Sequence, residues 1–281
     1  LLHGFDGDPS QWTRRMRVPE AMDSLVAAGR VREMIVVMPD GRNTLGGSFF
    51  ANTAAMGRWE DFAAGELVRH VDRRYRTLPR AAGRGVAGWS MGGWSALHLA
   101  ARRPDVFGAA YALSPCCMGS LLDDVGPSAS GWDTTAAVRT VGEASAARFG
   151  VRLRLAVAAL LTPDAGRPLG VALPFAAGPG GMVPAEPAHT AWRTASPDSL
   201  VARHGAGLAR LRGLGFDAGS RDDFRHIPAS VRTLSAALDR AGIAHAYEPY
   251  DGTHGSHVPA RIRTRVLPFL SGRLEGQSSR R

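Results

Sequence analysis

The chain has 281 residues, of which 44% are hydrophobic and 21% charged, a composition typical of folded globular proteins and far from that of disordered chains. Its length suits one large α/β domain better than two small ones. The net charge of +9 rests on arginines scattered among Ala and Gly along the whole chain, and no recognised DNA- or RNA-binding motif accompanies them, so a nucleic-acid partner is not expected.

The chain opens Leu1-Leu2-His3-Gly4-Phe5-Asp6-Gly7 without an initiator Met. It therefore reads as truncated, and a leader peptide cannot be judged. An apolar run at Met34 to Met38 reads as a strand, and Glu60 to Tyr75 carries a helical pattern. Arg84 to Gly88 is the next strand, followed by Gly88-Trp89-Ser90-Met91-Gly92 and a helix over Gly92 to Arg103. A serine hydroxyl becomes nucleophilic only with a base in hydrogen-bond reach and a backbone that exposes Oγ, and a strand-to-helix turn flanked by glycines supplies that backbone. Ser90 is accordingly the expected nucleophile.

Ala109 to Ser114 is a further strand. The cysteines that follow, Cys116 and Cys117, are adjacent, which excludes a disulfide framework; they read as small buried hydrophobes, with a reactive thiol the alternative. Cysteine usage leaves both cytosol and export open, with the cytosol the first expectation. From Met118 to Ala195 the strand–helix rhythm breaks into Gly/Pro/Ala-rich sequence such as Ala176 to Gly181. This interval reads as a lid-like or irregular insertion, or as a helical excursion over the sheet edge. No stretch approaches the about 18 apolar residues of a membrane helix, since even Val151 to Leu161 contains Arg152 and Arg154.

Strands are expected at Leu214 to Asp217 and Ala244 to Pro249, and helices at Pro228 to Ala241 and Val258 to Leu274. The basic run Arg261 to Arg265 is placed on a surface helix. One domain is expected over residues 1–274, with residues 275–281 a disordered tail. Strand and helix alternate, so the fold class is α/β, with a mostly parallel sheet covered by helices on both faces.

The acid and base partners of Ser90 should follow it in the order acid, then His, beyond the carboxyl ends of strands. Asp222 is the favoured acid, with Asp223 the alternative, and Asp217 is read as a turn stabiliser. His254 is the favoured base, with His257 the alternative. Backbone N–H groups of Phe5 and Met91 are the expected oxyanion donors.

With Ser90, Asp222, His254 and the His3-Gly4-Phe5 loop in place, the sequence resembles the putative-esterase family of α/β-hydrolases. That family includes S-formylglutathione hydrolases, feruloyl and enterochelin esterases and antigen 85-type mycolyltransferases. The likeness runs through Leu1 to Pro115 and resumes from about Ser196 to Leu274. It implies the α/β-hydrolase fold, with the family's earlier N-terminal strands missing here, and a Ser90–His254–Asp222 triad. It also implies a substrate pocket bordered by Trp89 and by Phe49 and Phe50 of the Gly46 to Asn52 loop. The implied activity is hydrolysis of a small carboxylic ester through an acyl-enzyme, without metal or organic cofactor. An acyltransferase or a thioesterase would use the same residues. Oligomeric state stays open.

Overall fold

A computed structural model describes residues 1–119, 122 and 130–276. Strands β1 (Asn52–Thr53) and β2 (Gly57–Arg58) form a small antiparallel pair. The central sheet is built from β3 (Gly85–Trp89), β4 (Ala109–Leu113), β7 (Gly213–Gly219) and β8 (Ala246–Tyr250), all parallel and in that spatial order. Along the chain from β4 to β7 comes a separate antiparallel hairpin, β5 (Phe175–Gly178) with β6 (Gly181–Pro184). Leu2 extends the sheet beyond β3: its N–H donates to Ala87 O at 2.8 Å and its carbonyl accepts from Trp89 N–H at 3.2 Å.

Successive strand residues face opposite sides, and the two sides bury different partners. Val86, Ala110, Ala112, Leu214 and Phe216 pack with the helices Met91–Arg102 and His226–Arg240. Ala87, Ala109, Tyr111 and Leu113 pack instead with Val18–Ala27 and with the C-terminal helical segment over 258–273. This is the doubly covered parallel sheet of an α/β fold, as expected of the sequence.

One expected strand is absent from the fold. Met34 to Met38 is not a strand. The run is apolar enough, but a strand needs a continuous backbone partner, and here Val37 O accepts a bond from Leu1 N at 2.6 Å without a ladder forming. Where they are described, residues 118–195 carry several helices and one hairpin. Val141–Ala146 starts on a capping box between Thr140 and Glu143, Phe149–Leu161 is a full helix, and the Gly/Pro-rich stretch is the turn of the β5–β6 hairpin, with Gly180 at φ 84° and Gly181 at φ 131°. The expected tail divides as well: Glu275 pairs with Arg80 and Arg212, and 277–281 lie outside the described residues. Among the described residues no helix is long and apolar enough to cross a membrane.

Candidate active site

Ser90 sits between β3 and the helix Met91–Arg102 at φ 58°, ψ −118°. A non-glycine residue in this region costs about 1–3 kcal/mol, so surrounding packing must impose it. It does: a Cβ on Gly92 would collide with the Leu2 carbonyl oxygen, and one on Gly88 with the Gly92 backbone. Only glycine at both positions allows strand, helix and N-terminal segment to approach this closely. The Cys116 N–H also donates to Ser90 O at 3.3 Å. Both cysteines are buried and unbridged, and burial pushes the Cys117 thiol up, in keeping with a packing role.

Two loops beyond the carboxyl ends of β7 and β8 meet Ser90. His254 Nε2 lies 2.8 Å from Ser90 Oγ, and His254 Nδ1 lies 2.9 Å from Asp222 Oδ2. A carboxylate only accepts, so Nδ1 carries the ring proton and Nε2 is free to accept from the serine. The second oxygen, Asp222 Oδ1, accepts from Phe224 N–H at 2.9 Å. The imidazole is held between Trp89 (ring centroids 5.2 Å apart) and Phe224 (4.9 Å, edge-on). Such a chain can take a proton from the hydroxyl and stabilise the resulting imidazolium.

The alternatives stand apart from this chain. Asp223 is exposed, and His257 is an exposed left-handed residue at a helix start, its ring against Tyr250. Asp217 does not stabilise a turn. It is fully buried in β7, where its Oδ2 accepts from Arg261 Nε at 2.7 Å and from Tyr111 OH at 3.0 Å. Arg261 is correspondingly buried and stacked on Tyr250; it is not part of a surface run.

Burial pushes the Asp217 carboxyl up from 3.8 to about 6, Arg261 pulling the other way. A carboxyl whose folded pKa exceeds its unfolded value contributes less stability as pH rises through that interval. Removing its cation sharpens this. Arg261→Met is expected to destabilise the protein by about 3–5 kcal/mol at pH 7, with a smaller deficit at pH 5, where Asp217 can take up a proton. Urea unfolding at the two pH values tests it; an equal deficit at both would contradict the pairing.

Met91 opens the helix after Ser90, where the first N–H groups have no partner within the helix, and the side chains of Met91 and Phe5 converge. A Cβ on Gly47 would run into Met91 Sδ and touch the Phe5 ring. The pocket residues expected from the sequence sit differently. Phe49 and Phe50 are 0% and 1% exposed; Phe49 packs edge-on to Trp94 and Phe50 edge-on to His3, so both rings belong to the core. Trp89 packs its ring against the imidazole of His254 and donates from Nε1 to His254 O at 3.0 Å.

Rings that the sequence did not single out flank the site instead. Phe149 is 44% exposed and lies 5.5 Å from Phe5 and 6.5 Å from Phe224, centroid to centroid. Its helix is tied to the Phe5 loop by Arg152, which grips both Asp6 oxygens at 2.8 and 2.5 Å.

Comparison with known proteins agrees with this architecture. A family model described as Putative esterase matches residues 1–258, and the chain belongs to that family. It is 32% identical over 110 residues to an endo-1,4-beta-xylanase/feruloyl esterase of Xylanibacter ruminicola, a match covering 38% of this chain and 15% of that protein's length. Among solved structures, a ferulic acid esterase superposes with TM-score 0.62 at 20% identity, over 96% of this chain and 83% of the other. An S-formylglutathione hydrolase of Staphylococcus aureus superposes with TM-score 0.58 at 17% identity, over 96% and 82%.

Proposed function

We propose that the chain is a serine carboxylic-ester hydrolase, a reading carried by the hydrogen-bonded chain Ser90–His254–Asp222. Ser90 Oγ attacks the acyl carbonyl while His254 Nε2 takes its proton, and Asp222 stabilises the imidazolium. The oxyanion forms against the N–H groups of Phe5 and Met91, each donor of this kind contributing roughly 2.7–4 kcal/mol in the transition state. Collapse, with the proton returned to the leaving alcohol, gives an acyl-Ser90 ester that water cleaves by the same route. A fluorophosphonate probe is expected to label the protein once, at Ser90; labelling of another residue, or none in folded protein, would count against the reading.

The acyl group is proposed to lie along Phe5, Phe149 and Phe224, which favours flat or apolar acyl chains. Membership of the esterase family supports this chemistry, and the named feruloyl esterase activity of the Xylanibacter relative is of the same kind. Phe149→Ala should raise KM for phenyl-bearing acyl esters about 10-fold, within the range one apolar contact provides, and leave kcat/KM for p-nitrophenyl acetate within about 2-fold. Parallel kinetics on the two esters check this, and equal losses on both would remove Phe149 from the pocket.

A further inference from the structure

His3 is fully buried beside the catalytic loops yet has no part in the proton chain. Both its ring nitrogens are used. Gly41 N–H points at Nε2 at 2.8 Å, and Nδ1 lies 2.8 Å from Gly4 O. An N–H can only donate, so Nε2 must be the acceptor, and the ring proton therefore sits on Nδ1 and is donated to Gly4 O. Burial lowers the His3 pKa and keeps the ring neutral, although Asp40 Oδ1 at 3.7 Å pulls the other way. The edge of Phe50 closes one side of the ring.

Gly4 O belongs to the same peptide unit as Phe5 N–H. In a planar trans peptide the carbonyl and the N–H point in opposite directions. Whatever holds Gly4 O on one side therefore aims Phe5 N–H on the other, and a Cβ on Gly4 would come within 3.6 Å of Ser90 Cβ. Gly7 N–H also donates to Gly4 O, at 3.0 Å, and Gly4 N–H is held by Gln11 Oε1 at 3.1 Å.

We propose that His3 is a positioning residue: by donating from Nδ1 to Gly4 O it fixes the Gly4–Phe5 peptide plane and so directs the Phe5 N–H at the developing oxyanion. The inference rests on the Ser90 esterase reading. It predicts an effect on the transition state and not on ester binding, because the ground-state carbonyl does not need this alignment.

The two hydrogen bonds of the ring can be separated by substitution. His3→Asn places an amide N–H where Nδ1 stood and keeps the bond to Gly4 O. His3→Gln reaches toward Gly41 instead and gives up the bond to Gly4 O. Steady-state hydrolysis of p-nitrophenyl acetate is measured on both, with active sites counted by end-point fluorophosphonate labelling so that misfolded protein does not enter kcat. Ser90→Ala runs in parallel.

The expected result is a kcat loss of roughly 10–100-fold for His3→Gln with KM within about 2-fold, since losing a whole oxyanion donor costs on the order of 10²–10³, and a loss below about 5-fold for His3→Asn. Equal losses in the two variants, or a change confined to KM, would overturn the positioning role. Wild-type activity in Ser90→Ala would instead overturn the underlying esterase reading. If neither His3 variant yields any labelled sites, His3 is a folding residue and the proposal fails.

Discussion

Ser90→Ala is expected to lower kcat for p-nitrophenyl acetate by on the order of 10⁶-fold, the loss typical of removing a nucleophile that acts as one unit with its base. The substitution removes only Oγ. The unusual backbone at position 90 is imposed by the packing of Leu2, Gly88 and Gly92, and alanine keeps the same Cβ, so the melting temperature should shift by no more than a few degrees. Because nucleophile and base serve the same step, His254→Ala should cost about as much, and the double variant no more than either alone. Residual catalysis in all three, roughly 10³–10⁴ over water, would come from the Phe5 and Met91 donors and from substrate binding. Steady-state rates with thermal melts check the set. Wild-type activity in Ser90→Ala, or multiplicative losses in the double variant, would rule out the proposed chain of proton transfer.

What the sequence made legible here is what depends on neighbours in the chain. The elbow at Ser90 is local: two glycines and a serine within five residues, with a strand before and a helix after. The loops carrying Asp222 and His254 could be found because β7 and β8 end just before them. Contacts between distant segments could not be found this way. Arg261 reads as part of a basic run, yet its partner Asp217 lies 44 residues upstream. Trp89 stands next to Ser90 in the chain, but it ends β3 before the elbow turns, and its ring is taken up by the imidazole and carbonyl of His254, far away in the chain. The helix Phe149–Leu161 hid its period because Ala156 to Ala159 are all buried, so no polar stripe marks a surface. Only Arg152 and Arg154 break that pattern, and both are engaged, by Asp6 and by Thr135 with Gly131. The flanking rings Phe5, Phe149 and Phe224 come from three separate parts of the chain, and no spacing rule joins them.

Asp222→Asn should reduce kcat by about 10⁴-fold while leaving KM within a few-fold, and the local geometry says why. One oxygen of Asp222 accepts from Phe224 N–H and the other from His254 Nδ1. An asparagine has one acceptor and one donor end. Phe224 N–H can only donate, so it claims the amide oxygen, which turns the amide NH₂ toward His254. Facing a donor, Nδ1 must become the acceptor, and the ring proton moves to Nε2, where Ser90 Oγ needs a base. The substitution thus leaves the loop intact and inverts the imidazole tautomer, the failure expected when a triad carboxylate becomes an amide. Asp223→Asn removes an exposed carboxylate outside the chain and should stay within about 2-fold of wild type. Measuring kcat and KM on p-nitrophenyl acetate for both variants, with melts to confirm folding, separates the two carboxylates. Comparable losses in both, or full activity in Asp222→Asn, would mean that the acid of this site lies elsewhere.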